Sequence, residues 1–203
     1  MNNGAEFYQG LMEKGADDPD YAGLDQGPEG TRGRHRLALE FVSLAGKSVL
    51  DLGCGTGLFL TAMSKEGITP SRYLGTDLLA EREATVRERL LATGVSGNFL
   101  QMDLSEHRWS RLPVGRFDAV LALGLMGPEP FHTYASLRLL LENMRLAGDH
   151  GLVTIPMMRP GFLGCEYQAH FAYRDVFNFL PSIPGYTKMT LHQNTEKEMF
   201  IWW

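Results

Sequence analysis

The chain has 203 residues and a formal net charge of −5, the size of one domain with a full core. Its apolar runs fall well short of the ~20 residues that span a bilayer. The acidic balance lacks the basic face of a nucleic-acid binder, so neither a membrane nor a nucleic acid is the expected partner. The two cysteines, Cys54 and Cys165, lack metal-type spacing, and the N-terminus has no basic region followed by an apolar stretch. A cytoplasmic protein without a bound metal is expected.

Residues 1–30 are polar and carry the turn-forming strings GADDPDYAG and DQGPEG. They read as an N-terminal extension, able to act as a lid through Phe7, Tyr8 and Tyr21, ahead of a single domain at 31–203. From Thr31 to Ala45, the apolar positions Leu37, Leu39, Phe41, Val42 and Leu44 suit a helix with one buried face. The cluster Arg32, Arg34, His35 and Arg36 reads either as a solvated helix start or as a source of an arginine that faces a ligand.

After Gly46 the pattern alternates. SVLDLG is a strand and LFLTAMSKEG a helix; YLGTD is a strand and LLAEREATVRERLLATG a helix. GNFLQMD and FDAVLALG are the third and fourth strands, PFHTYASLRLLLENMRLAG a long helix and GLVTIPM a fifth strand. FAYRDVFNFL is a helix. YTKMTLHQ and EMFIWW are strands joined by the polar turn NTEK, and so should pair antiparallel. Short apolar strands between amphipathic helices make an α/β fold, a mostly parallel sheet covered on both faces.

The strongest motif is VLDLGCGTG, Val49 to Gly57. An apolar strand runs into Gly53, Gly55 and Gly57, and a helix follows at once. Glycine allows the backbone angles of such a turn and lets a ligand approach without a Cβ in the way, while the helix start offers free N–H groups. The spacing departs from the dinucleotide fingerprint G-x-G-x-x-G, because the third glycine comes one residue early and Leu58 takes the sixth position. No lysine follows, as a phosphate-binding P-loop would require. A cationic, phosphate-free ligand with an amino-acid end fits better, with Asp51 helping to hold a positive group.

Asp-Leu-Gly-Cys-Gly-Thr-Gly, Asp51 to Gly57, resembles the first motif of the class I S-adenosylmethionine-dependent methyltransferases, and the resemblance extends loosely from Thr31 to Trp203. It implies a three-layer Rossmann-like sandwich, with a seven-stranded, mostly parallel sheet that ends in an antiparallel strand pair. It also implies S-adenosyl-L-methionine as cofactor. Asp51, Gly53, Cys54, Gly55 and Gly57 would form the cradle. Asp77, which closes YLGTD, and its neighbour Leu78 would meet the ribose, since a carboxylate accepts from two adjacent hydroxyls. Asp103 and Leu104 would meet the adenine edge. Phe117-Asp118-Ala119-Val120 resembles the family's fourth-strand opening, which places Leu123 to Met126 near the transferred methyl.

Departures from the family's subclasses narrow the chemistry. Leu123-Gly124-Leu125-Met126-Gly127-Pro128 replaces the Asn-Pro-Pro-Tyr type of motif that holds a planar amino group. Neither cysteine suits a cytosine C5 nucleophile, and Glu129 alone does not form the ligand cluster of a magnesium-dependent enzyme. Methyl transfer needs a general base only where the acceptor must lose a proton. The candidates are His132 and Tyr134 after the fourth strand, and Tyr167 and His170 in the long connection after the fifth, with His132 first because it would open a helix. Each also has an ordinary structural reading, in a helix turn or a packed loop. Residues 157–173 hold Met157, Met158, Phe162, Tyr167, Phe171 and Tyr173 but only one basic residue, Arg159, which suits a small-molecule pocket. Methylation of RNA or protein, and cofactor binding without methylation, are the alternatives.

Overall fold

The computed structural model describes residues 27–105, 109, 112, 116–127, 130–157, 171–185, 190–193 and 198–203. Of the proposed lid over 1–30, residues 1–26 lie outside the described residues, as does the connection at 158–170.

Helix α1 (Gly27–Phe41) leads into β1 (Ser48–Leu52), followed by α2 (Leu58–Lys65), β2 (Arg72–Asp77), α3 (Arg82–Thr93), β3 (Gly97–Gln101) and β4 (Phe117–Ala122). Then come α4 (Tyr134–Ala147), β5 (Gly148–Pro156), α5 (Tyr173–Phe179) with a 3₁₀ turn at Leu180–Ser182, β6 (Thr190–Gln193) and β7 (Glu198–Trp202). The strands lie side by side in the order β3-β2-β1-β4-β5-β7-β6. The first five are parallel to their neighbours, and β7 runs antiparallel to both β5 and β6. Strand order reverses between β1 and β4, the place where open α/β sheets bind ligands beyond the carboxyl ends of their strands.

The central strands are buried on both faces, and the alternation of side chains divides the core in two. Val49, Tyr73, Ala119 and Leu121 pack beneath α1, α2 and α3 with Ala38, Phe59, Leu60 and Val86. Leu50, Leu52, Val120 and Val153 pack on the other face against Leu137, Leu140, Leu141 and Met144 of α4. Asp51 and Asp77 fall on the first face, in step with Val49 and Tyr73.

Several element limits differ from the sequence reading. Helix α1 begins at Gly27, four residues before Thr31. Its buried stripe is Thr31, Arg34, His35 and Ala38, continued by Val42 just past its end, while Leu37, Leu39 and Phe41 are only half-buried. Apolar periodicity missed this face because half of it is polar. Helix α4 begins at Tyr134, not near Phe131. Thr133 caps it: its hydroxyl accepts the Ser136 N–H at 3.1 Å, and the Ser136 hydroxyl accepts the Thr133 N–H at 3.1 Å, a reciprocal box that sets the first turn. Strand β5 starts at Gly148 directly after the helix, where Arg116 reaches the carbonyls of Leu146 and Gly148. Asp118, in the fourth-strand motif, sits at the amino end of the sheet. Its carboxylate accepts both the N–H and the hydroxyl of Ser48 at 2.7 Å. These bonds hold its pKa below the usual carboxylate value. It ties β4 to β1, away from the strand ends that bind ligands.

Candidate cofactor and substrate site

The loop after β1 is built from left-handed glycines. Gly53, Gly55 and Gly57 have φ of 65°, 53° and 78°, a region where only glycine is comfortable. Gly57 stands at the N-cap of α2 and offers no side-chain cap, so the first N–H groups of the helix keep their capacity for a ligand. A Cβ on Gly55 would meet nothing within 4 Å, so open space lies over that backbone. A Cβ on Gly53 would come within 2.9 Å of the Leu125 side chain, from the loop after β4. The two loops at the switch point therefore face each other.

Asp77 braces this loop from the end of β2. One carboxylate oxygen accepts the Gly55 N–H at 2.9 Å, the other the Leu79 N–H at 3.0 Å. Its pKa is raised by burial, against the pull of those N–H groups and of Arg82. A carboxylate has lone pairs beyond these two bonds, so Asp77 can brace the loop and still accept from a ligand. Below the loop, Asp51 is 2% exposed and accepts a 2.6 Å hydrogen bond from the Tyr73 hydroxyl. Burial lifts the Asp51 carboxyl to about 7; the Tyr73 hydrogen bond opposes the lift and Asp77 adds to it.

The Cys54 thiol lies within the cradle, and burial followed by the negative charges of Asp51 and Asp77 pushes it well above the usual thiol value. It is a packed thiol, not a thiolate nucleophile. Gly75 makes room for it, since a Cβ there would lie 2.7 Å from Cys54 Sγ.

Beyond the glycine loop, Leu78 is half-buried, and the Gln101 amide donates to its carbonyl at 3.1 Å. Asp103 does not close β3, which ends at Gln101. It is exposed in the turn that follows and accepts the N–H and hydroxyl of Ser105 at 2.9 and 2.6 Å, while Leu104 is buried in the core. At the end of β4, Leu123 is half-buried, and the Gly124 N–H donates to the Thr154 hydroxyl at 2.7 Å.

Helix α1 contributes residues that the sequence reading left open. Arg34 is 6% exposed, and its guanidinium lies where a Cβ on Gly124 would fall. His35 stacks edge-on to Phe59 at 5.2 Å; burial, then the Arg34 charge, lowers its pKa to about 3, so it is neutral. The Thr31 hydroxyl is buried with no hydrogen-bond partner among the described residues. The basic cluster thus divides: Arg32 and Arg36 are exposed, and Arg34 is buried at the edge of the site.

Of the four base candidates, His132 and Tyr134 lie among the described residues. His132 is exposed and precedes the Thr133 cap, so it is not in the helix's first turn. The ring of Tyr134 packs against Phe171 and Phe179, with centroids 5.3 and 5.0 Å away. Burial and the nearby Asp175 raise its pKa. Tyr167 and His170 lie outside the described residues. Among the described residues no group of three or more His, Cys, Asp or Glu could hold a metal ion. No helix among them is long and apolar enough to cross a membrane.

Residues 49–145 match the profile of a family described as a methyltransferase domain. The chain is 34% identical over 87 residues to a ubiquinone biosynthesis O-methyltransferase of Cronobacter sakazakii, an alignment covering 43% of this chain and 34% of that protein. It spans only about a third to two fifths of the length of such curated relatives. In three dimensions it resembles the magnesium protoporphyrin IX methyltransferase of Synechocystis, solved with bound S-adenosylhomocysteine (TM-score 0.65, 15% identity, 98% of this chain and 97% of that one). It also resembles a putative rRNA methylase of Clostridium thermocellum (TM-score 0.55, 15% identity, 85% and 93%). At such identities the likeness is one of fold, and the fold alone does not choose a substrate.

Proposed function

Because this chain belongs to the class I S-adenosylmethionine-dependent methyltransferases, we propose that it is an enzyme that moves the methyl group of S-adenosyl-L-methionine to a small-molecule acceptor. The observation that carries the cofactor assignment is the open Gly55 backbone between the Asp77 carboxylate and the uncapped start of α2. These residues fit the group: glycines without Cβ atoms for close approach, a carboxylate for vicinal hydroxyls, and an acid and a buried arginine for a zwitterion. In this reading Asp77 accepts from the ribose, Arg34 faces the cofactor's carboxylate and Asp51 its ammonium. Leu78, Leu104 and Leu123 supply apolar contacts, and Asp103 lies at the rim.

The cofactor supplies a sulfonium methyl already activated by positive charge. The protein's part is alignment and exclusion of water. Leu123 to Met126 form the floor beside the acceptor, held by the bond from Gly124 to Thr154. With His132 solvated and Tyr134 in an aromatic cluster, positioning carries the catalysis among the described residues, and Tyr167 and His170 stay as the base candidates. Residues 1–30 would act as a lid over the 31–203 domain.

A small acceptor is supported by the net charge of −5 and by the ubiquinone-pathway relatives, whose name states an O-methyl transfer. The test is a panel of phenolic and other small acceptors, with RNA as the competing substrate, under titrated salt. Turnover of a small molecule at all salt concentrations is expected. RNA binding that falls steeply with salt, with no small-molecule turnover, would overturn the assignment.

A further inference from the structure

The Tyr73–Asp51 pair has no part in the reading above beyond the charge of Asp51, yet both of its members are buried in the sheet. Tyr73 is the second residue of β2 and is 0% exposed. Its position in register opposite Val49 points its side chain along the same face as Asp51, two residues further on. The ring can lie flat along the strand because residue 75 is glycine: a Cβ there would fall 3.1 Å from Tyr73 Cε1. The hydroxyl then reaches Asp51 Oδ2 at 2.6 Å. A tyrosine hydroxyl has one proton to donate, so this bond fixes the orientation of the carboxyl beneath the glycine loop.

The surroundings decide the charge that Asp51 holds. On β2 it faces Tyr73 and, at the strand's end, the second carboxylate, Asp77; in the loop it faces the neutral Cys54 thiol. On its other side β4 sets Leu121 opposite it, with no ionisable group in register. From α3, Arg82 acts on Asp77 and Cys54, and Arg89 on Tyr73. From α1 come the buried Arg34 and the neutral His35. A carboxyl taken out of water next to another carboxylate keeps its proton until a cation arrives, and the lift of Asp51 toward neutrality accords with this.

We propose that Tyr73 is a positioning residue that acts through Asp51, and that binding of the cofactor's ammonium end expels the Asp51 proton, which couples cofactor binding to pH. The inference rests on the cofactor assignment above. In the binding step the Asp51 O–H bond breaks, the proton passes to solvent, and the electron pair stays on the carboxylate that faces the ligand cation.

Calorimetry of S-adenosylmethionine and S-adenosylhomocysteine in two buffers of different ionisation enthalpy, from about pH 6 to about pH 8, reads both affinity and proton exchange. Both ligands carry the ammonium, so both should release a proton below neutrality, with affinity rising ~tenfold per pH unit up to a midpoint and levelling above it. Tyr73→Phe should move that midpoint upward, because a bond that favours the carboxylate is lost. Asp51→Asn should remove the proton release. Wild-type binding with flat affinity and no proton exchange would overturn the proposal and leave the cofactor assignment standing. A Tyr73→Phe midpoint equal to that of wild type would overturn the role of Tyr73. Failure of wild type to bind either ligand at any pH would instead overturn the cofactor assignment itself.

Discussion

Asp77 and Asp51 share one face of the sheet yet are held by different partners. Asp77 accepts two backbone N–H bonds, and one of them comes from Gly55 in the loop that would hold the cofactor. Asp77→Ala should therefore weaken S-adenosylmethionine and S-adenosylhomocysteine by about 1–3 kcal/mol, the value of hydrogen bonds to a charged group, as read by calorimetry. Asp51 is a matter of stability as well. Its folded-state pKa of about 7 lies above the ordinary 3.8, so between those values the folded protein holds a proton that the unfolded chain has lost. Stability from this group is full below the lower value and falls as pH rises through the higher one. The ligand-free protein should lose melting temperature from about pH 4 to about pH 7. Asp51→Asn, which cannot ionise, should flatten that part of the profile.

At the scale of elements, the helices that matter to the site are set by different devices. Helix α2 starts on an uncapped left-handed glycine, an arrangement that costs stability and leaves donors for a ligand. Helix α4 has the opposite start, the Thr133–Ser136 box. Its inner face, Leu137, Leu140, Leu141 and Met144, is wholly buried against the sheet. Thr133→Ala should cost about 0.5–2 kcal/mol in chemical denaturation and leave cofactor affinity unchanged, since the cap lies outside the glycine cradle. Helix α1 is joined to the far side of the sheet by the stacking of Phe41 on Trp202 at 4.5 Å. This contact helps to hold the helix that delivers Arg34 to the end of β4.

At the scale of the whole molecule, the site is a property of assembly. Asp51, Asp77, Gly55, Arg34 and Leu125 come from β1, β2, two loops and α1, and meet only because the strand order reverses between β1 and β4. A ligand that binds this assembled state and not the unfolded chain must stabilise it by mass action. S-adenosylhomocysteine at a hundred times its Kd should add ~2.7 kcal/mol, seen as a rise in Tm. In Asp77→Ala the rise at the same ligand concentration should shrink in proportion to the lost affinity.

Much of this was legible in the sequence. The alternation of short apolar strands with amphipathic helices determined a parallel α/β sheet, and two apolar runs separated by the polar string NTEK pointed to the antiparallel pair, because both patterns are local. The glycine loop and Asp77 were legible for the same reason: a turn that only glycine can make, followed by an acid at a strand end. Thr31 and Tyr73 were not, and Arg34 was legible only as one member of a basic cluster with two readings. Each is a polar residue on a buried face, and a hydrophobicity pattern counts such residues as solvent-facing. Tyr73 meets Asp51 through the register of two parallel strands and the missing Cβ of Gly75, and Arg34 meets Gly124 through the packing of α1 on the sheet. The start of α4 also eluded the pattern, because the Thr133 cap shifted the helix past His132 and left that residue in solvent. The sequence by itself determined the elements and the glycine turn, which depend on neighbours in the chain. The tertiary structure alone decided which polar groups are buried together, because burial and charge depend on neighbours in space.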